Sequence, residues 1–159
     1  ETEAKAKRES ERMKKEKLTE AHNRQNALIA AKTQEGQRRL FVERAAMTDE
    51  VFRLAAERLT EYAKTDAYAE QLRSGAKAVA ALFGDSDCVL YLNERDLGAA
   101  DELRAFFSGN AQVKADRSIQ IGGVRGYCES MGIIADETLD SKLEAQRAWF
   151  VENAALSVL

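Results

Sequence analysis

The first sixty residues are mostly charged and polar, with apolar side chains at widely spaced positions. Many of these apolar positions fall eleven residues apart, at Leu18, Ile29, Leu40, Val51 and Tyr62. Eleven residues make about three turns of α-helix, so these side chains share one narrow face. An eleven-residue period corresponds to about 3.67 residues per turn and favours a right-handed supercoil. The pattern therefore predicts a long helix with a seam for a partner helix.

A shorter stretch of the same segment fits a seven-residue repeat equally well, with Leu40, Met47 and Leu54 in phase. A heptad seam winds in the left-handed sense, so the handedness of the pairing stays open. The alternative to pairing is an isolated solvated helix or a disordered charged tail. We favour pairing because the seam persists over several turns and the segment contains no proline.

Residues 63–159 carry a different pattern. Amphipathic spacing predicts a second helix from Asp66 to Phe83, ended by Gly84 in a left-handed conformation. Short apolar runs then predict strands at Cys88–Leu92, at Ala111–Ala115, from Ile119 to Cys128 and at Ile133–Ala135. Two further helices are expected, one carrying Leu97, Leu103, Phe106 and Phe107, and a final one beginning within Asp136–Asp140 and presenting Leu139, Leu143, Trp149, Phe150 and Leu156.

These elements predict an α+β protein in two parts. Residues 1–62 form an extended stalk helix on the order of 90 Å long, and residues 63–159 form a small globular domain in which helices pack on a single mixed sheet. A helix as polar as the N-terminal part has too little apolar surface to fold into a core. We expect it to protrude from the domain, and the apolar residues from Leu40 onward to pack on it.

Composition and charge argue against several classes of function. Charged residues make up 32% of the chain and the net charge is −3, which argues against nucleic-acid binding. No apolar run is long enough to span a membrane. The chain starts Glu1-Thr2-Glu3 without an initiating Met, so we expect it to be a fragment or a trimmed product. Its two cysteines, Cys88 and Cys128, lack metal-ligand spacing and suggest a reducing, cytoplasmic compartment.

No residue pattern indicates catalysis, a metal or a cofactor. His22 is the single histidine and sits in the charged helix, and Cys88 and Cys128 are expected to be buried structural thiols. The segment Gly122-Gly123-Val124-Arg125-Gly126 matches neither phosphate-binding fingerprint and is better explained by a bulge or a close backbone approach. Asp136, Glu137 and Asp140 are expected to cap the final helix. We expect a protein that is not an enzyme.

Several segments resemble a known family. Residues 47–59 with 68–72 are similar to the junction between stalk helix and globular domain in the E-type peripheral stalk proteins of V-type and A-type ATPases. Ile121-Gly-Gly-Val124, Gly132-Ile-Ile-Ala-Asp136 and Thr138-Leu-Asp-Ser-Lys-Leu-Glu144 resemble that family's glycine-glycine strand, hairpin return and helix start. The likeness covers about residues 40–150. Lys142 stands where the family usually carries Arg, and Arg125 to Cys128 are unusual after the glycine pair.

The resemblance implies a non-catalytic stator component without a cofactor. The E-type stalk proteins of these rotary ATPases pair along their length with a second helical stalk protein, which is the G-type one in eukaryotes and its counterpart in prokaryotes. Their globular end binds the catalytic head, so that the head stays static while ATP turnover drives proton or sodium transport. The resemblance places the protein on the cytoplasmic face of a membrane complex, without a span of its own.

The expected contact residues follow from the apolar pattern and from the resemblance. The partner-helix seam is Leu18, Ile29, Leu40 and Val51, and the expected head-docking residues are Leu143, Trp149 and Phe150 on the final helix. The competing interpretations are a stator-like regulator of a flagellar or type III export ATPase, an unrelated coiled-coil adaptor, and an enzyme that uses the helix only to oligomerise.

Overall fold

The computed structural model describes residues 2–154, so Leu156 lies outside the described part of the chain. It contains a long N-terminal helix followed by an α+β domain with one mixed four-stranded sheet, which confirms the predicted fold class. The tertiary contacts divide the chain into two units, Glu1–Ala46 and Met47–Leu159. This division falls inside the first helix rather than at its end, so residues 47–62 of that helix belong to the second unit.

The first helix, α1, spans Thr2–Tyr62. Alanine and long straight-chain side chains dominate it, and these residues lose little rotamer freedom in a helix. Ion pairs at a spacing of four residues support the first unit, among them Arg24–Glu20 at 3.2 Å and Arg39–Glu35 at 2.6 Å. Such exposed pairs each contribute only about 0.2–0.5 kcal/mol. The buried residues of α1, Thr48 and Phe52, both lie in the second unit.

The second unit continues with α2 (Asp66–Phe83), β1 (Cys88–Leu92), a 3₁₀ helix (Glu94–Ala99), α3 (Ala100–Arg104), β2 (Ala111–Ala115), β3 (Gly123–Cys128), β4 (Ile133–Thr138) and α4 (Leu139–Asn153). The sheet order is β2-β1-β3-β4, with β1 and β2 parallel and the other pairs antiparallel. The predicted α2, β1 and β2 match the observed bounds. Gly84 follows α2 with φ +56°, the positive sign expected, but its ψ of −126° lies outside the predicted left-handed helical region.

One face of the sheet holds the core. Leu90 and Leu92 of β1 and Val124 of β3 are fully buried there, together with Val79 and Phe83 of α2. Gly126 of β3 lies directly beneath α2, because a Cβ at that position would come within 2.5 Å of Val79 and 2.6 Å of Phe83. The close approach expected of the glycines is therefore real, and it lets α2 pack tightly on the sheet.

Two predicted boundaries before the final helix were wrong. The helix expected to carry Leu97 through Phe107 is a 3₁₀ helix followed by a five-residue α-helix, so both phenylalanines lie beyond its end. The strand expected from Ile119 begins only at Gly123. The backbone N–H groups just before it, from Gln120 to Gly122, donate to the carboxylate of Asp140 instead of a neighbouring strand.

The last helix begins at Leu139, within the predicted range Asp136–Asp140, but the expectation that Asp136 and Glu137 cap it was wrong. β4 extends to Thr138 because this residue is paired with Gly123 of β3. Thr138 then caps α4, since its hydroxyl accepts a hydrogen bond from the backbone N–H of Ser141. Asp136 and Glu137 consequently belong to the strand, and Asp140 is the only one of the three carboxylates inside α4.

Candidate interaction surfaces

The predicted seam in the first unit is exposed along its whole length. Leu18, Ile29 and Leu40 are 73%, 57% and 47% exposed. Because eleven residues make about three helical turns, each of these side chains lies nearly above the next. All residues from 2 to 43 are exposed. This segment has no core of its own to hold its apolar side chains.

The apolar surface of the first unit is wider than the predicted line. Leu28 and Phe41 lie about 100° around the helix from the seam, Val42 lies on the side opposite Leu40, and all three are more than half exposed. In the second unit, Val51, the last seam residue predicted, is 43% exposed. The sequence indicated the rise in apolar density from Leu40 onward and predicted that these residues pack, whereas Leu40, Phe41 and Val42 are exposed.

The three residues predicted for docking have different environments. Leu143 is half-buried and packs against the core. The Phe150 ring lies edge-on to the Phe52 ring of α1, with 5.6 Å between the ring centroids. Trp149 is 60% exposed and is therefore the member of the set whose side chain is most available to a partner. Leu143 and Phe150 contribute to holding α4 against the rest of the second unit.

Charge reinforces the contact between α4 and residues 47–62 of α1. The Arg147 guanidinium lies 4.6 Å from the centre of the Phe52 ring and forms an ion pair with Asp49 at 2.7 Å. Its hydrogen bonds, first that with Asp49 and then that with Glu144, raise the pKa of Arg147. A cation over an aromatic face is worth about 0.5–1 kcal/mol at an exposed site. The end of α1 is thus fixed onto α4.

The second face of the sheet carries no packed helix within the described residues, and it was not predicted as a surface. Strand register places Val89, Tyr127 and Ile134 in one row across β1, β3 and β4, and Tyr91 and Arg125 in the next. We call these five residues the open face. None of them is buried, and Ile134 is 65% exposed. The alternation of β3, with Val124 and Gly126 inward and Arg125 and Tyr127 outward, is the sequence signal for it.

Arg125 is held in position on the open face by two carboxylates. Its Nε lies 3.0 Å from Asp136 and its Nη1 lies 3.3 Å from Asp116. Although partial burial acts to raise the pKa of Asp136, hydrogen bonds from Thr138, Ser141 and Arg125 lower it to about 2. The arginine is therefore oriented by two carboxylates, and the face presents apolar and aromatic side chains around this fixed polar group.

The glycine-rich turn binds one of the chain's own carboxylates. Asp140 accepts hydrogen bonds from the N–H groups of Gln120 at 3.0 Å, Ile121 at 3.0 Å and Gly122 at 3.2 Å. Gly122 and Gly123 adopt φ values of +140° and +98°, which side-chain-bearing residues rarely adopt. The donors that a phosphate would need in a glycine loop are thus occupied by Asp140.

A buried polar cluster fixes this turn from the other side. The Tyr68 hydroxyl donates to Asp96 at 2.6 Å and accepts from the Gly123 N–H at 2.8 Å. Burial raises the pKa of Asp96, and the Tyr68 and Arg95 contacts oppose that shift. Arg95 also donates to the carbonyl of Ile121. Sequence reasoning missed this cluster because its members are far apart along the chain.

The remaining candidates for chemistry are dispersed. His22 is exposed on α1, whereas Cys88 and Cys128 are free thiols buried in β1 and β3, as expected. Among residues 2–154, no group of three or more His, Cys, Asp or Glu side chains could hold a metal ion. In the same range, no helix combines the length and the apolar character needed to cross a membrane.

The assignment of a function rests on the chain's own surfaces. No protein-family model matches the chain, and no curated protein matches it significantly. The chain itself offers a fully exposed helical segment with an apolar seam, and an α+β domain with an open sheet face.

Proposed function

We propose that this chain is a peripheral stalk component of a rotary V-type or A-type ATPase. In this proposal α1 pairs with a second helical stalk protein, and the α+β domain docks on the catalytic head. The observation that carries the proposal is the complete exposure of residues 2–43 along a helix whose apolar side chains recur every eleven residues. The resemblance of residues 40–150 to the E-type stalk proteins of that family supports it.

The argument for a partner is energetic. In globular proteins most helical stability comes from packing an apolar face, and the described part of the first unit packs none. Burying a Leu or Ile side chain contributes about 1.5–3 kcal/mol relative to leaving it in water. Leu18, Ile29 and Leu40 together therefore offer several kcal/mol to a helix that covers them. The intrahelical ion pairs are too weak to replace that contribution.

The proposed role needs mechanical continuity rather than an active site. A stator must resist the torque of the rotor over a long distance, and two paired helices carry such a load with few residues. Charged side chains on the remaining faces keep the helices soluble. The contact of Arg147 and Phe150 with Phe52 gives the end of α1 a firm attachment to the domain.

The domain has two surfaces suited to docking on the head. Trp149 is exposed on α4, and aromatic side chains are common anchors in protein interfaces. The open face adds Val89, Tyr127 and Ile134 around the fixed Arg125. This combination of apolar residues and an oriented arginine is typical of the centre of an interface.

Pairing is tested with the full chain and with candidate helical stalk proteins expressed beside it. We expect a one-to-one complex and a gain of helical circular dichroism on mixing. Substituting Ile29→Lys and Leu40→Lys should abolish the complex. The matched control, Ala27→Lys with Ala31→Lys, adds the same charge on the opposite side of the helix and should leave the complex intact. A chain that is fully helical and strictly monomeric in dilute solution would count against pairing.

Assembly is tested by capturing the chain from native membranes. Recovery of the catalytic ATPase proteins and a small helical stalk protein supports the stator. Trp149→Ala or Ile134→Asp should reduce recovery of the catalytic proteins while the helical partner is retained. Recovery of export-ATPase components instead, or of no ATPase component at all, would refute the proposal.

A further inference from the structure

The register of β1 and β3, continued by one residue, sets two cysteines that are far apart in sequence opposite each other. β1 and β3 are antiparallel, with Val89 opposite Tyr127, and one step further along the same register Cys88 lies opposite Cys128. Both side chains point to the core face, since Leu90 and Gly126, two residues away in each strand, form the next pair on that face. Both thiols are free and buried.

The spacing of directly opposite residues suits a disulfide. In antiparallel sheets the Cα atoms of such pairs are about 4.5–5.5 Å apart. Disulfide-bonded cysteines have Cα separations of roughly 4.4–6.8 Å. The first range falls within the second, so two cysteines at directly opposite positions have a Cα separation that a disulfide can span. We propose that Cys88 and Cys128 form a reversible redox site, in which an oxidant converts the two thiols into a disulfide between the central strands β1 and β3.

The two thiols differ in a way that sets the order of the reaction. The Cys128 Sγ lies 3.3 Å from the Ser130 Oγ. This hydrogen bond and others from the backbone of Met131 and Ser130 lower the pKa of Cys128, whereas burial and the neighbouring Cys128 and Asp87 raise that of Cys88. Burial of Cys128 opposes the effect of these hydrogen bonds on its pKa. Because the thiolate is the nucleophile in thiol chemistry, the lowered pKa favours Cys128 over Cys88 as the attacking sulfur.

With hydrogen peroxide as the oxidant, the reaction balances in two steps. The Cys128 thiolate attacks one peroxide oxygen, the O–O bond breaks, and hydroxide leaves as a sulfenic acid forms on Cys128. The sulfur of Cys88 then attacks the sulfenic sulfur, loses its proton, and displaces water. The two cysteines lose two electrons in all, and one peroxide becomes two water molecules.

Access to the pair is provided at the end of the sheet. Cys88 lines a surface cavity of about 500 Å³ together with Asn110, Tyr127 and Ser130. A molecule as small as peroxide fits this cavity easily, and the hairpin residues Ser130 and Met131 are exposed beside it. The cavity therefore brings a small oxidant to the edge of the pair at Cys88, whereas the Cys128 side chain is fully buried.

The test uses the folded full-length chain. After exposure to hydrogen peroxide, the protein is unfolded, its remaining thiols are alkylated, and its intact mass is measured. We expect a monomer that has lost both alkylatable thiols and two hydrogens, a peptide joining Cys88 to Cys128, and recovery of both thiols with dithiothreitol. The same treatment in urea, where the strand register is lost, should give the disulfide more slowly.

Single-cysteine variants test the order of the reaction. Cys88→Ala should accumulate a sulfenic acid at Cys128 that a dimedone probe traps, and Cys128→Ala should give less trapped product at Cys88. Any of four results with the wild-type protein would overturn the proposal. The protein could keep both thiols, oxidise each separately to sulfinic acid, form only intermolecular disulfides, or form the disulfide as fast in urea. None of these outcomes bears on the pairing of α1, so the two proposals fail independently.

Discussion

The Tyr68 hydroxyl is the most informative single group to remove, because it satisfies two buried polar groups from distant parts of the chain. It donates to Asp96 at 2.6 Å and accepts from the N–H of Gly123 at 2.8 Å. Tyr68→Phe keeps the ring, its packing and its edge-on contact with Tyr62, and deletes only the oxygen. The variant therefore isolates the hydrogen bonds from the hydrophobic contribution.

The expected loss follows from what the deletion leaves behind. A buried donor or acceptor without a partner costs about 1–3 kcal/mol. The Gly123 N–H and the Asp96 carboxylate both lose a partner, so we expect Tyr68→Phe to lower the free energy of unfolding by about 3 kcal/mol. For a unit of this size that corresponds to a fall in Tm on the order of 10 °C.

The loss of stability in Tyr68→Phe should also depend on pH, and its direction follows from the pKa of Asp96. Burial raises the pKa of Asp96 in the folded protein, and the hydrogen bond from Tyr68 opposes that rise. Without the hydroxyl the folded-state pKa is higher still, so the variant loses stability as pH rises above the pKa of the unfolded carboxyl. The difference in unfolding free energy between wild type and Tyr68→Phe should therefore be larger at neutral pH than in mild acid.

The measurement is urea unfolding followed by fluorescence, supported by calorimetry of the full chain. Tyr127→Phe is the matched control, since Tyr127 is exposed on the open face and the change removes the same atom. We expect the control to stay within about 0.5 kcal/mol of wild type. A Tyr68→Phe protein that is equally stable, or whose loss grows in acid, would refute the role assigned to this hydroxyl.

Three further changes test other contacts by the same unfolding measurements. Gly126→Ala should lower the free energy of unfolding by about 2–3 kcal/mol, because its Cβ would lie within 2.6 Å of Val79 and Phe83. The control Gly98→Ala has open space around it and should be nearly neutral. Equal effects of the two substitutions would contradict the close packing of α2. Asp140→Ala should cost about 2 kcal/mol by leaving the N–H groups of residues 120–122 without their acceptor, and an unchanged Tm would show that these groups find other partners. The pKa of Asp136 lies at about 2, below that of an unfolded aspartate, so its stabilisation is present at neutral pH and lost as pH falls from about 4 to about 2. Asp136→Asn should therefore lower stability by about 1 kcal/mol at neutral pH and flatten the pH dependence in that window, and an unaltered slope would exclude the contribution of Asp136.

Much of the fold could be predicted from local patterns. The eleven-residue spacing from Leu18 to Leu40 indicated a helix with an exposed seam, because helical periodicity is a property of neighbouring residues alone. The bounds of α2, β1 and β2 were also set locally, by apolar periodicity and by Gly84. The same local logic made Cys88 and Cys128 buried strand residues and excluded a phosphate-binding fingerprint at Gly122.

Long-range contacts decided where the elements end and which side chains are exposed. Asp140 draws the N–H groups of residues 120–122 away from the sheet, so β3 starts at Gly123, and pairing with that residue extends β4 to Thr138. Packing on Phe52 covers part of Phe150, while Trp149 beside it stays exposed. Strand register, which no single segment specifies, set Cys88 opposite Cys128 and assembled the open face. The sequence by itself determined which segments are helix or strand, and only the tertiary structure decided where each element ends and which side chains remain free, because those outcomes depend on partners tens of residues away.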